Sequence, residues 1–353
     1  MKHLSQRQPH IPQKRAKEGA GLRKELDSFH DGGHRKAIAQ AKPKPAKGKV
    51  IESVRLSIDE DDDHLLECID GRYLGKTIDG RYEMKELLGS GAMGEVYRAL
   101  DLYTLQEVAV KIAFGSKREK NRSTDLLLHE LEVLGMVQHE RIVGCLGSGE
   151  VDGKGYIVIE FVDGEDLLNF IERHQQLDLH TALQITVQIA EALEAAAHKG
   201  IVHQDVKPEN VLVSTKEGAV SVKLSDFGLA LVRGENGMRG ALGGTPAYMS
   251  PEQAEKGDVG PKSDVFSLAT TMFEMLSGDP LFVGADPEYV MRGVREYEPG
   301  LHALLVDYLP ESVNGLITRM HSMNPARRPS IEEVKLRVQA IIESISGQDP
   351  GYA

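Results

Sequence analysis

The chain has 353 residues, 41% hydrophobic and 27% charged, a composition that suits a folded globular protein and excludes a fibrous or wholly disordered one. No stretch reaches the about 18 consecutive apolar residues that span a bilayer and no N-terminal secretory signal stands out, while the two cysteines, Cys68 and Cys145, rule out a disulfide framework and match no metal spacing, so a cytoplasmic location is expected. The net charge of −12 is uneven, because residues 1–50 hold 13 Lys/Arg against 4 Asp/Glu and the remainder carries −21.

In chain order, residues 1–50 lack hydrophobic periodicity and end in Lys42-Pro43-Lys44-Pro45-Ala46-Lys47. Such a segment buries too little apolar surface to offset its ordering entropy, so a disordered basic tail is expected. Residues 51–81 read as an acidic linker around Asp59-Glu60-Asp61-Asp62-Asp63. From Tyr82 the character changes. Strand-like runs at Tyr82–Leu88, Glu95–Asp101, Gln106–Ala113 and Tyr156–Phe161 are separated by glycine-rich turns and by one helical stretch at Ser123–Val137. Beyond residue 165 the pattern turns helical. Asp178 can cap a helix with an apolar face of Ala182, Leu183, Ile189, Ala190, Leu193 and Ala197, which Gly200 ends. A second buried helix is expected at Ser263–Leu276, stopping at Ser277-Gly278-Asp279-Pro280. The implied fold is α+β, a small β-rich lobe followed by a larger α-helical one, with the cleft between them a natural ligand site.

Four clusters carry chemistry. Gly89-Ser90-Gly91-Ala92-Met93-Gly94 is weak alone, since dinucleotide-binding folds spell the same motif before a helix. Strand-like residues on both sides favour a hairpin flap whose backbone can approach phosphates; a ligand-free turn is the plain alternative. Lys111, inside Val108-Ala109-Val110-Lys111, is costly in an apolar strand unless paired. Phosphate oxygens and an acid on the next helix could pair it, with Glu130 preferred and Glu132 as the alternative on a different face. In His203-Gln204-Asp205-Val206-Lys207-Pro208-Glu209-Asn210, a carboxylate can orient a hydroxyl and accept its proton, a lysine can neutralise a transferring phosphoryl group, and an amide oxygen can ligate magnesium. His203 reads as packing. Asp226, in Ser225-Asp226-Phe227-Gly228, can hold a metal between phosphates after a short strand at Val220–Leu224.

The four occur in one fixed order, and here the chain resembles the eukaryotic-type (Hanks-type) serine/threonine protein kinases over about residues 82–341, leaving 342–353 as a C-terminal tail. The resemblance continues in Gly244-Thr245-Pro246-Ala247-Tyr248-Met249-Ser250-Pro251-Glu252, similar to the family's substrate-binding segment with Ser250 in place of alanine, in Ser263-Asp264-Val265-Phe266-Ser267, and in Arg328, which looks like the partner of Glu252. The wording is closest to bacterial members. The resemblance implies transfer of the γ-phosphoryl of ATP, with Mg2+, to Ser/Thr hydroxyls of protein substrates. It implies that Leu88, Gly89, Gly91, Gly94, Val96 and Ala109 surround the nucleotide, that backbone groups near Glu160–Val162 meet the adenine edge, and that Ile159 guards the inner pocket. It also implies that Lys111, braced by Glu130, holds phosphates, that Asp205 is the catalytic base assisted by Lys207, and that Asn210 and Asp226 hold magnesium.

Three further features depart from the family. Gln204 stands where many regulated members have the arginine that grips an activation-loop phosphate, and residues 229–244 contain no Ser, Thr or Tyr. Control by activation-loop phosphorylation is therefore not expected; the alternative leaves Thr245 as a phosphosite. Ala269 replaces a common glycine, at little expected cost. The basic tail either is merely solvated or lies across the acidic lobe in the substrate groove; stable nucleic-acid binding is not expected, since only Phe29 supplies an aromatic. A pseudokinase scaffold would lack the lysine, the base or a metal ligand, and a small-molecule kinase would lack the Thr245 and Glu252/Arg328 platform.

Overall fold

The computed structural model describes residues 71–91, 94–114, 122–216, 218–234, 237–239, 243–301 and 309–346. The basic segment 1–50, most of the acidic linker and the tail from 347 lie outside the described residues, as does the proposed contact of the basic tail.

The N-terminal lobe is one antiparallel sheet. Its strands are β1 (Thr77–Ile78), β2 (Tyr82–Gly91), β3 (Gly94–Asp101), β4 (Gln106–Ala113), β5 (Cys145–Val151) and β6 (Lys154–Glu160), in the order β1-β2-β3-β4-β6-β5. Helix α1 (Arg122–Met136) lies between β4 and β5 in the chain. The alternation of β3 explains its place: Tyr97 and Ala99 are fully buried and join Met84, Val108, Val110, Tyr156 and Val158 in one core. The folded unit starts before Tyr82, because Tyr73 and Ile78 belong to this core and Tyr73 meets Tyr97 edge-on at 6.1 Å. β5 escaped the sequence reading because Cys145-Leu146-Gly147-Ser148-Gly149 alternates half-buried with exposed residues and carries two glycines.

The C-terminal lobe begins with β7 (Glu165–Asp166), α2 (Leu167–His174), α3 (Leu179–His198) and β8 (Ile201–Val202). It continues through β9 (Val211–Lys216), β10 (Ala219–Leu224), β11 (Leu231–Gly234), β12 (Gly237–Arg239), α4 (Pro251–Ala254), α5 (Pro261–Ser277), α6 (Pro287–Arg295), α7 (Glu311–Met320) and α8 (Ile331–Ser346). Asp178 caps α3 as expected, its carboxylate accepting from the Thr181 N–H at 3.0 Å, and Gly200 beyond the helix end takes φ +72°.

Helix α5 is the axis of this lobe. Every residue from Ser263 to Leu276 is buried, so its polar side chains must find partners within the protein. Thr270 and Thr271 donate to the carbonyls four residues earlier, and the Ser267 hydroxyl donates to the Tyr248 carbonyl at 2.7 Å. Gly278 ends the helix at φ +79°, where an added Cβ would sit 1.9 Å from the Gln175 carbonyl oxygen. Ala269 is fully buried in the main core without a break in the helix.

Candidate active site

The glycines lie where two strands meet. Gly91 pairs with Gly94 across the β2–β3 hairpin and Gly89 with Val96; the pairing slips a register between Leu87 and Gly89, at Leu88, which is exposed. Gly94 sits at φ +156°, and a Cβ there would fall 2.0 Å from the Ile112 carbonyl oxygen. Only glycine lets the hairpin close onto β4 at this point. Val96 pairs directly with Lys111 and packs, with Val162, against the main core, which also includes Ala109 and Ile159. The Glu160 side chain is engaged by Lys223 at 2.8 Å and by the Gly144 N–H at 2.9 Å.

Lys111 lies on β4 and is buried. Its Nζ donates to Glu130 Oε2 at 2.7 Å and to Asp226 Oδ1 at 3.1 Å. Glu130, not Glu132, is the acid that α1 presents to it. Burial alone would depress the Lys111 pKa, but the carboxylates of Asp226 and Glu130 outweigh it and hold the ammonium above its ordinary range. Asp226 feels the converse: burial works against its charge, yet Lys111 and then Lys207 keep its pKa below the usual carboxylate value.

The Asp205 loop is held from beneath. Asp264, on the first turn of α5, accepts from the His203 N–H at 2.8 Å and the Gln204 N–H at 2.9 Å. His203 is fully buried, stacks edge-on against Phe227 at 4.5 Å and has its pKa lowered chiefly by desolvation, which fits a packing role. Gln204 takes the left-handed φ of +68°, so the chain turns sharply just before Asp205. Asp205 Oδ1 accepts from the Thr245 N–H at 2.7 Å and its hydroxyl at 2.8 Å, while Oδ2 accepts from Asn210 Nδ2 at 3.0 Å and faces Lys207 Nζ at 3.1 Å. Lys207 Nζ also donates to the Thr245 hydroxyl at 2.6 Å.

Asn210 spends its amide nitrogen on the Asp205 carbonyl and carboxylate. That directs its amide oxygen elsewhere, and the Ser225 N–H and hydroxyl, on the Asn210 carbonyl at 2.9 Å and 3.0 Å, keep Asp226 beside it. An amide oxygen and a partly exposed carboxylate are the hard oxygen donors that suit magnesium completed by phosphates and water. The described residues hold no group of three or more His, Cys, Asp or Glu that could bind a metal by themselves.

Sequence reasoning put Thr245 among the family markers but not in the site, and passed over Gln253. Gln253 Nε2 donates to the Gln204 carbonyl at 2.9 Å and the Gly243 carbonyl at 3.2 Å, joining the Asp205 loop to the segment that carries Thr245. The Glu252–Arg328 pair is present, bidentate at 2.6 Å and 2.8 Å.

A curled sheet and a helical lobe that meet at this ion network define the bilobal protein kinase fold. The family model described as protein kinase domain matches residues 82–337, and the chain belongs to that family, among the Hanks-type serine/threonine kinases. It is 32% identical over 259 residues to the serine/threonine-protein kinase unc-51 of Caenorhabditis elegans, covering 70% of this chain and 30% of that protein. It is 32% identical over 267 residues to a probable serine/threonine-protein kinase of Streptomyces coelicolor, covering 73% and 39%. Identity is again 32%, over 252 residues, to the serine/threonine-protein kinase PknB of Mycobacterium tuberculosis, covering 69% and 40%. The alignments thus span between about a third and a half of the curated relatives.

Proposed function

We propose that this chain transfers the γ-phosphoryl group of ATP to serine or threonine hydroxyls of protein substrates, in the cytoplasm. The observation that carries the reading is the pair of networks, Lys111–Glu130–Asp226 and Lys207–Asp205–Thr245, which lie near enough for the Lys207 charge to act on Asp226. Gly89, Gly91 and Gly94, with Leu88, Val96 and Ala109, cover the nucleotide, and main-chain groups of Glu160 and Val162 take its base. Lys111, oriented by Glu130, binds phosphate oxygens. Asn210 and Asp226 would hold magnesium, which supplies charge neutralisation between phosphates. Asp205 orients the acceptor hydroxyl and receives its proton; Lys207 balances charge on the phosphoryl group in flight. A scaffold without catalysis has no support here, since all of these side chains are present. In labelled-ATP assays, Asp205→Asn should lower turnover by roughly 10²–10⁴-fold; near wild-type transfer by that variant would end the reading.

Regulation by activation-loop phosphorylation is not part of this proposal. The Thr245 hydroxyl is engaged with both Asp205 and Lys207, so a phosphate there would set negative charge against the Asp205 carboxylate. Phosphatase treatment of the purified protein is expected to leave activity unchanged. A large loss traced to Thr245 would overturn this.

A further inference from the structure

Helix α1 sends two consecutive side chains to different parts of the site. Glu130 meets Lys111, and the neighbouring His129 reaches the other way, its Nε2 2.6 Å from the Ala230 carbonyl oxygen. Ala230 in turn donates its N–H to the Phe227 carbonyl at 3.0 Å, so the stretch after Asp226 is a closed turn. Because Lys111 bonds Asp226 as well as Glu130, the contacts form a ring. It runs from Lys111 to Glu130, along the helix to His129, across to Ala230, back through the turn to Asp226, and to Lys111 again. The adjacent carbonyl, that of Leu229, accepts from Gln204 Nε2 at 2.5 Å. Gln204 immediately precedes Asp205, so the ring is joined to the loop bearing the carboxylate base.

A helix moves as a rigid rod, and its rotation or withdrawal would break the buried Lys111–Glu130 pair. Glu130 fixes one point of α1, on Lys111 and on the Phe227 N–H at the start of the turn; His129 fixes a second, further along that turn, on a backbone carbonyl that is present in any chemical state of the segment. The geometry points to His129 as a positioning residue, which locks α1 to the turn after Asp226 so that Glu130 stays on Lys111, with Gln204 completing the link to Asp205. The kinetic part of this inference rests on the kinase reading; the structural part does not.

The test uses the full chain with His129→Leu, which removes the donor, and His129→Gln, which returns an N–H at similar reach. Amide hydrogen exchange by mass spectrometry is read at residues 122–136 and 229–234, with α5 as the internal reference. His129→Leu should exchange roughly 3- to 30-fold faster in both segments and unchanged in α5, with kcat lowered by a similar factor and the KM for ATP affected less. His129→Gln should restore both. Wild-type exchange in His129→Leu would overturn the proposal. So would loss of protection through α5 in both variants, since that is a general structural defect. An inactive wild-type protein would defeat the kinase reading and leave the exchange comparison to decide this one.

Discussion

Arg328 has a side chain with 0% exposure, and it survives burial because every direction it points in is met. Two of its nitrogens grip Glu252, Nε donates to the Ser322 carbonyl at 2.7 Å, and Nη1 also reaches the Lys262 carbonyl at 2.8 Å. Glu252 takes a further bond from the Ser263 hydroxyl at 2.6 Å. Removing one partner strands the other charge, so Arg328→Ala should cost about 3–5 kcal/mol in urea unfolding. Arg328→Lys should recover only part of that, because an ammonium cannot reproduce the planar two-point grip. The pair also gives the fold an acid limit. Burial disfavours the Glu252 charge, but the hydrogen bonds from Arg328 and Ser263 outweigh it and hold its pKa below the usual 4.5. A carboxylate lowered in the folded state stabilises above its unfolded value, and that contribution fades as pH falls through the folded value. Stability should therefore drop on acidification below about pH 4.5, and less steeply in Glu252→Gln, as followed by chemical denaturation.

At the scale of the element, α5 shows the opposite pH behaviour. Glu274 is buried on this helix with the Tyr248 hydroxyl on its carboxylate at 2.6 Å. Burial, aided by the nearby carboxylates of Glu209, Asp279 and Glu172, outweighs that hydrogen bond and pushes its pKa up to about 7 from 4.5. The folded state thus keeps a proton that the unfolded chain has released. Its stabilisation is complete below about pH 4.5 and is lost as pH rises through about 7. Asp264, pushed up to about 7 by burial despite two N–H donors, adds to the same slope. Glu274→Gln keeps an acceptor for Tyr248 but cannot titrate. Urea midpoints of this variant should decline less between about pH 4.5 and about pH 7 than those of the wild type; an identical slope would show that Glu274 does not hold the proton.

For the whole molecule the open matter is charge. No helix among the described residues is long and apolar enough to cross a membrane, and the basic tail stands against a strongly acidic remainder. Deleting residues 1–50 is expected to leave the kinetics unchanged from low to high salt, as for a solvated tail. Higher activity of the truncated chain at low salt only would instead place the tail over the substrate groove, since screening weakens such a contact beyond about 10 Å at 0.1 M salt. Much of the fold was legible in the sequence wherever a local rule operates. Asp178 caps a helix by its own side chain, β3 and β4 alternate or run apolar, and the glycines of the β2–β3 hairpin stand where side chains cannot. The short half-exposed β5 and the start of the sheet before Tyr82 were not legible, because pairing rather than propensity makes them strands. In the site, the residue types and order alone named Lys111, Asp205, Asn210 and Asp226 and preferred Glu130 over Glu132. Which groups hold those residues in place was decided only by the tertiary structure. Asp264 beneath the Asp205 loop, Gln253 between two carbonyls and His129 on Ala230 all act across long stretches of chain, and a hydrogen bond between distant segments leaves no periodic or spaced trace in the sequence.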